Sequence, residues 1–169
     1  WTASKDILNN LPSIPYEFNL SEVMASQANV GAAADNVLTL EIADTAENIN
    51  LEWDTLQTLY GSAELPGKLT NLTFTDYGPL KLTAQQILGS TLLDEVSADN
   101  PITIKDSAAN ISTNWNSLVA LFGDGLGKYK SVEMTDPTNK VLITAAQQSA
   151  GSYLIRELPL EQESVQIVS

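Results

Sequence analysis

The chain has 169 residues, with 21 Asp and Glu against eight Lys and Arg and no cysteine or histidine. A formal charge of −13 repels phosphate backbones and anionic lipid headgroups, so nucleic acids and membrane surfaces are poor partners. Without Cys and His there are no disulfides, thiolate nucleophiles, imidazole bases or usual zinc, copper and iron ligand sets; carboxylate sites for hard cations remain possible. At 43% hydrophobic residues the chain is long enough to bury a core. No apolar run reaches the length of a membrane-spanning helix, and no signal peptide is legible. It begins at Trp1, which reads as a processed product or an excised segment.

Taken in order, residues 1–15 form an atypical leader with a short helix signal, Ser4-Lys5-Asp6-Ile7-Leu8. Phe18-Asn19-Leu20-Ser21 reads as a strand through its match to Leu80-Lys81-Leu82-Thr83. Ile42-Ala43-Asp44-Thr45 ends a strand and opens a helix whose apolar face holds Ile49, Trp53, Leu56 and Leu59. Thr75-Asp76 closes the next strand. Leu80-Lys81-Leu82-Thr83 alternates as a half-buried strand. Ile87, Leu88, Leu92, Leu93 and Val96 predict a helix over 84–96. Ser97-Ala98-Asp99-Asn100-Pro101 is a turn, and Ile102-Thr103-Ile104 a strand.

Asp106 or Ser107 caps a helix with Ile111, Trp115, Leu118, Leu121 and Phe122 on one face, stopped by Gly123-Asp124-Gly125. Strands follow at 131–135, 141–144 and 165–167, with a turn at Asp136-Pro137.

The decisive pattern is repetition. Ile42-Ala43-Asp44-Thr45-Ala46-Glu47-Asn48-Ile49 returns as Ile104-Lys105-Asp106-Ser107-Ala108-Ala109-Asn110-Ile111, 62 residues on. Trp53 returns as Trp115, Leu56 as Leu118 and Gly61 as Gly123. A fixed period of this size marks stacked supersecondary units. The expected architecture is an α/β, solenoid-like stack of strand-helix-strand-helix-strand units, about two and a half repeats in one continuous domain. Repeats are expected over 16–77 and 78–138, with a partial one over 139–169. Two pseudo-symmetric α/β halves are the second architectural reading.

The Asp44 and Asp106 motifs have two readings. As helix caps, their oxygens accept from first-turn amides and oppose the helix dipole. As a calcium site, Asp44 and Asp76, with their copies Asp106 and Asp136, would supply the oxygens; the loop signatures of calcium sites are missing. Caps are the preferred reading, with no cofactor required. Trp53 and Trp115 share the apolar helical face, so they read as core; Trp1 and Tyr77 read as exposed. Asp94-Glu95 and Glu161/Glu163 read as solvated surface, and no pair announces a glycosidase cleft. A serine triad lacks its histidine, and the glycines at 123–127 precede a strand rather than a helix, so no phosphate loop is expected. The Asn71 and Asn110 glycosylation triplets carry little weight. No enzyme is expected.

Asp44 to Ile49, Thr75-Asp76 and Leu82 to Gln86, with their second copies Asp106 to Ile111, Thr135-Asp136 and Ile143 to Gln147, together resemble tandem repeats of very large secreted bacterial surface proteins, the adhesins and surface-layer-like polypeptides exported by type I secretion. The resemblance covers residues 16–169. It implies an extracellular, non-catalytic structural or adhesive module whose partners are other copies or neighbouring repeats. Self-association is expected through strand edges at Phe18, Leu20, Val165 and Ile167. The alternative function is a carbohydrate-binding module that grips a polysaccharide with exposed aromatics.

Overall fold

The computed structural model describes residues 16–25, 40–61, 69–122, 129–159 and 161–169. The leader with Trp1, and the glycines at 123–125, lie outside the described residues. Strands and helices alternate from the first described residue: β1 (Tyr16–Phe18), α1 (Leu20–Ala25), β2 (Leu40–Asp44), α2 (Ala46–Gly61) and β3 (Leu69–Phe74). The three strands form a parallel sheet in chain order, with Ile42 in register with Phe18 on one side and Leu72 on the other.

The pattern then recurs. β4 (Leu80–Leu82), α3 (Ala84–Leu88), a 3-10 turn (Leu92–Glu95), β5 (Ile102–Asp106), α4 (Ala108–Phe122) and β6 (Tyr129–Met134) give a second parallel sheet with Ile104 between Leu82 and Val132. A third, two-stranded parallel sheet is made by β7 (Val141–Ile143) and β8 (Val165–Ile167). Between them lie α5 (Ala145–Ala150), α6 (Ser152–Arg156) and a 3-10 turn (Glu161–Ser164). The fold is mixed α/β, and every strand pair among the described residues is parallel.

The chain divides into two compact units. One holds the described residues up to Gly78 together with Thr91–Ser97; the other holds Pro79–Ser90 and Ala98–Ser169. The break at Gly78/Pro79 lies one residue from the boundary expected between the repeats at 77/78, while Thr91–Ser97, from within the second expected repeat, groups with the first unit. In the first unit Ile42, Ile49, Trp53, Leu56, Leu72 and Phe74 are buried; in the second, their counterparts Ile104, Ile111, Trp115, Leu118, Val132 and Met134 are buried. Each indole removes about 200 Å² from water, worth a few kcal/mol.

Two sequence expectations are corrected. The predicted helix over 84–96 is broken at Gly89: α3 ends there, and Leu92–Glu95 is a separate 3-10 turn. Gly89-Ser90-Thr91 combines the residue that loses most backbone entropy in a helix with two whose hydroxyls compete for backbone bonds. The same break recurs at Gly151, between α5 and α6. The segment after the break has its own task. Leu92 and Leu93 are buried, Val96 bridges in parallel to Leu72, and the Ser97 amide donates to the Leu72 carbonyl at 3.0 Å. In the second unit the Val132 amide donates to the Glu157 carbonyl at 3.0 Å. A segment 24–25 residues further along the chain thus meets the third strand of each full sheet.

The second correction concerns the first strand. Asn19, not Leu20-Ser21, marks its end: the Asn19 side chain accepts from the Glu22 amide at 2.9 Å, while the Asn19 amide donates to Glu22 Oε2 at 3.0 Å. This reciprocal capping box also occurs at Thr83/Gln86 and Thr144/Gln147. Asn19 therefore corresponds to Thr83, 64 residues on, and Tyr16–Phe18 to Leu80–Leu82. Leu20 is the first residue of α1 and only 3% exposed; it is core, not strand edge. The cap decides where the helix starts, and apolar similarity alone placed the register two residues off.

Candidate functional site

The recurring polar residues gather where strands end and helices begin. Asp44, the last residue of β2, accepts three hydrogen bonds: from the Leu20 amide of α1 at 2.9 Å, the Thr45 amide at 2.8 Å and Asn48 Nδ2 at 2.7 Å. Asp106, the last residue of β5, repeats the set with the Ala84 amide of α3 at 2.9 Å, the Ser107 amide at 2.8 Å and Asn110 Nδ2 at 2.7 Å. Asp76 and Asp136 follow the third strands. Asp76 accepts from the Ala46 amide of α2 at 3.0 Å and the Gly78 amide at 3.1 Å. Asp136 accepts from the Ala108 amide of α4 at 2.7 Å and Asn139 Nδ2 at 2.9 Å.

Each aspartate thus caps a helix that begins beside the neighbouring strand. Asp44 serves α1, Asp76 serves α2, Asp106 serves α3 and Asp136 serves α4. The helix's own Thr or Ser completes the cap: Thr45 Oγ1 accepts from the Asn48 amide and Ser107 Oγ from the Asn110 amide, both at 3.2 Å. A carboxylate at a helix N-terminus satisfies an orphan amide and opposes the macrodipole. The lateral reach was not read from the sequence. Its signal was present, however: Asp76 and Asp136 end strands that lead into turns, where no helix of their own needs a cap.

Electrostatics agree with this wiring. Burial pushes the Asp44 carboxyl up, but hydrogen bonds from Asn48, Leu20 and Thr45 outweigh it and hold the group below its ordinary value. Bonds from the Ala46 and Gly78 amides lower Asp76, and bonds from Asn139 and the Ala108 amide lower Asp136. All three are therefore built to be ionised. Among the described residues no three acidic side chains gather to hold a metal ion. Each of the four candidate calcium ligands accepts hydrogen bonds from amide donors.

Trp53 and Trp115 occupy matching core positions in their units, 1% and 0% exposed, so neither ring offers a face to a sugar. Their polar ends differ. Trp115 Nε1 donates to the Gln147 carbonyl at 3.1 Å, whereas Trp53 Nε1 is buried without a partner among the described residues. Tyr77 is 82% exposed and has a left-handed backbone, with φ of 54°. Asp94 is exposed, but Glu95 is not simply solvated: it accepts from the Tyr60 hydroxyl at 2.7 Å, which pushes that phenol up to about 12. Nothing in the sequence signals this contact, since its partners lie 35 residues apart. Nor does the sequence show that Lys81 and Lys105, on adjacent strands, both reach Glu133, at 2.7 and 3.1 Å, an exposed pairing of little energetic weight. An open depression of about 340 Å³ is lined by Leu20, Ser21, Asp44, Asn48, Leu51 and Glu52; Asp44 and Asn48 are bonded to each other there.

Of the expected self-association residues, Phe18 belongs to β1, and Val165 and Ile167 to β8. Leu20 is excluded by its burial. No helix among the described residues is long and apolar enough to cross a membrane. No family model matches the chain, and comparison with curated proteins and with solved structures returns no match.

Proposed function

We propose that the chain is a non-catalytic building block of an extracellular bacterial surface assembly, a structural or adhesive module whose repeats stack in the manner of a solenoid. One observation carries the reading. The polar side chains that recur from copy to copy, Asp44/Asp106, Thr45/Ser107, Asn48/Asn110 and Asp76/Asp136, all bond to groups within their own unit. What the sequence repeats is therefore a set of supports for helix ends, as a scaffold needs, and not a set of groups facing a substrate. The grouping of Thr91–Ser97 with the residues before Gly78 adds to this. A segment from inside the second sequence repeat completes the first unit, which ties consecutive repeats along the chain. The acidic, cysteine-free composition suits a secreted surface protein.

The carbohydrate-binding alternative rests on Tyr77, the most exposed large side chain among the described hydrophobic residues. A glycan array probed with the intact chain and with Tyr77→Ala separates the two. The building-block reading expects no glycan retained by either protein. A glycan held by the intact chain and released by Tyr77→Ala would replace this reading with the binding module.

A further inference from the structure

We propose that the chain joins to copies of itself by exchanging the segment Thr91–Ser97, which seats on the first unit of a neighbouring copy. This rests on the building-block reading and names the element that joins one block to the next. The segment interrupts the second unit in sequence: Pro79–Ser90 and Ala98–Ser169 on either side of it group together, while Thr91–Ser97 groups with the residues before Gly78. Residues 1–78 join the rest of the chain at a single point, between Gly78 and Pro79. Straightening the backbone there is enough to let a copy take the segment from another chain.

The segment carries contacts that hold it in place. Leu92, Leu93 and Val96 are 0%, 4% and 3% exposed. Val96 bridges in parallel to Leu72, and the Ser97 amide donates to the Leu72 carbonyl at 3.0 Å. From α2 the Tyr60 hydroxyl donates to Glu95 Oε1 at 2.7 Å. Both the third strand and the long helix of the unit therefore grip it. Apolar burial and hydrogen bonds are worth the same whichever copy supplies the segment. Exchange of an identical element leaves these contacts unchanged, so the link decides the balance.

That link is short and strained. Thr75–Pro79, between β3 and β4, is one residue shorter than its counterpart Thr135–Lys140, between β6 and β7. Within it Tyr77 has a φ of 54°, and no other non-glycine residue among the described ones has a positive φ. The left-handed region crowds Cβ against the following carbonyl, which disfavours the closed link about 10-fold. Burial of the ring gives nothing back, since Tyr77 is 82% exposed. In the counterpart, Asp136 is followed by Pro137, whose ring fixes a negative φ and avoids the strain. Pro79 also biases the residue before it toward extended backbone, the shape of an opened link. Short hinges under strain invite exchange because opening relieves them.

The concentration scale follows. A short link presents its own segment at an effective concentration in the millimolar range. Strain of about 10-fold lowers this to the order of 100 μM, above which a neighbour's segment competes.

The chain has no cysteine, so crosslinking has no background. Tyr60→Cys on one chain and Glu95→Cys on another set a thiol on each side of the α2 contact. The two variants are mixed in urea, refolded together at about 500 μM, diluted, and treated with a short bismaleimide. A covalent heterodimer on a denaturing gel is expected, at least ~5-fold scarcer when refolding is done at about 5 μM. A single chain with both substitutions should close on itself at the lower concentration. Adding Tyr77→Asn to both variants should cut the heterodimer by ~3–10-fold, because asparagine tolerates left-handed backbone. Tyr77→Ala keeps the strain and removes the exposed ring, so the yield should hold. Circular dichroism melting checks that every variant folds. No heterodimer from folded variants at the higher concentration overturns the proposal, as does a doubly substituted chain that fails to close. A yield that Tyr77→Asn leaves unchanged also overturns it, and a fall with Tyr77→Ala alone assigns the joining to the exposed ring. These outcomes are separate from those of the glycan array, which reads bound sugar and not copy number.

Discussion

Gly151 offers a sharp quantitative prediction, because one contact decides the sign of its replacement. Its φ of −103° is ordinary backbone for any residue. Gly→Ala at such a position normally stabilises by about 0.4–1 kcal/mol, through the unfolded chain. Here an added Cβ would lie 2.5 Å from Cζ2 of Trp115 and 2.8 Å from its Cε2 and Nε1. Optimal carbon–carbon separation is about 3.5–4.0 Å, so the overlap is about 1 Å and the indole must move. Overpacking of this kind costs about 1–3 kcal/mol. Moving the ring also strains the Nε1 bond to the Gln147 carbonyl, and loss of that bond from a buried donor costs a further ~1–3 kcal/mol. A net loss of about 2–4 kcal/mol follows, or roughly 5–15 °C in Tm at this size.

Thermal unfolding followed by circular dichroism reads the change. Gly151→Ala placed in a Trp115→Phe background should cost far less, because the indole atoms it strikes are gone. Gly89→Ala, at the corresponding break, meets only the Gln85 carbonyl at 3.2 Å and should change Tm by no more than about 3 °C. A Gly151→Ala protein that melts with the parent, or a loss that persists undiminished without the indole, refutes the packing argument.

Other outcomes follow from the caps. Asp106→Asn turns one oxygen into a donor facing a donor; the loss should be about 2–3 kcal/mol, measured by urea unfolding. Asp136→Asn, at a half-buried site where Asp106 is buried, should lose less. The depressed carboxyls of Asp44, Asp76 and Asp136 contribute stability that is complete above the ordinary value of 3.8 and lost as pH falls through their lower folded values. In high salt, which screens the relief of like-charge repulsion, Tm should stay flat from neutral pH to about 5 and fall below about 4. A Tm that rises steadily to pH 3 would contradict this. At the other extreme Tyr60, raised from 10.0 to about 12, contributes stability below its ordinary value that fades as pH climbs through the folded one. Tyr60→Phe should remove that alkaline component of a Tm profile.

Much of the architecture was legible because periodicity and burial are the same signal. Trp53 and Trp115 recur at one offset on one helical face, and both are buried in long helices. The Asp-Thr and Asp-Ser pairs announced capping because short oxygen-bearing side chains before an apolar run have few other uses. What escaped was lateral. An aspartate's partner on the next helix depends on strand order, which sequence spacing does not encode: the bonds of Asp44 to Thr45 and Asn48 at the start of α2 are local and legible, but its bond to the Leu20 amide of α1 is not. The register of β1 hinged on Asn19 and Glu22 rather than on the apolar match at Leu20. The break at Gly89 was hidden because Leu92, Leu93 and Val96 continue a helical spacing while packing against a different sheet. Glu95 looked like surface because its partner, Tyr60, lies 35 residues away.

The central claim is that the recurring aspartates are bound by backbone amides and not by a cation. The most direct test is the Tm of the intact chain in chelator, in about 5 mM magnesium and in about 5 mM calcium. A ligand that binds only the folded state must raise Tm. The account predicts equal, small shifts from both ions, as screening of a chain of charge −13 requires. A rise of about 5 °C or more with calcium alone would contradict it and make Asp44, Asp76, Asp106 and Asp136 metal ligands.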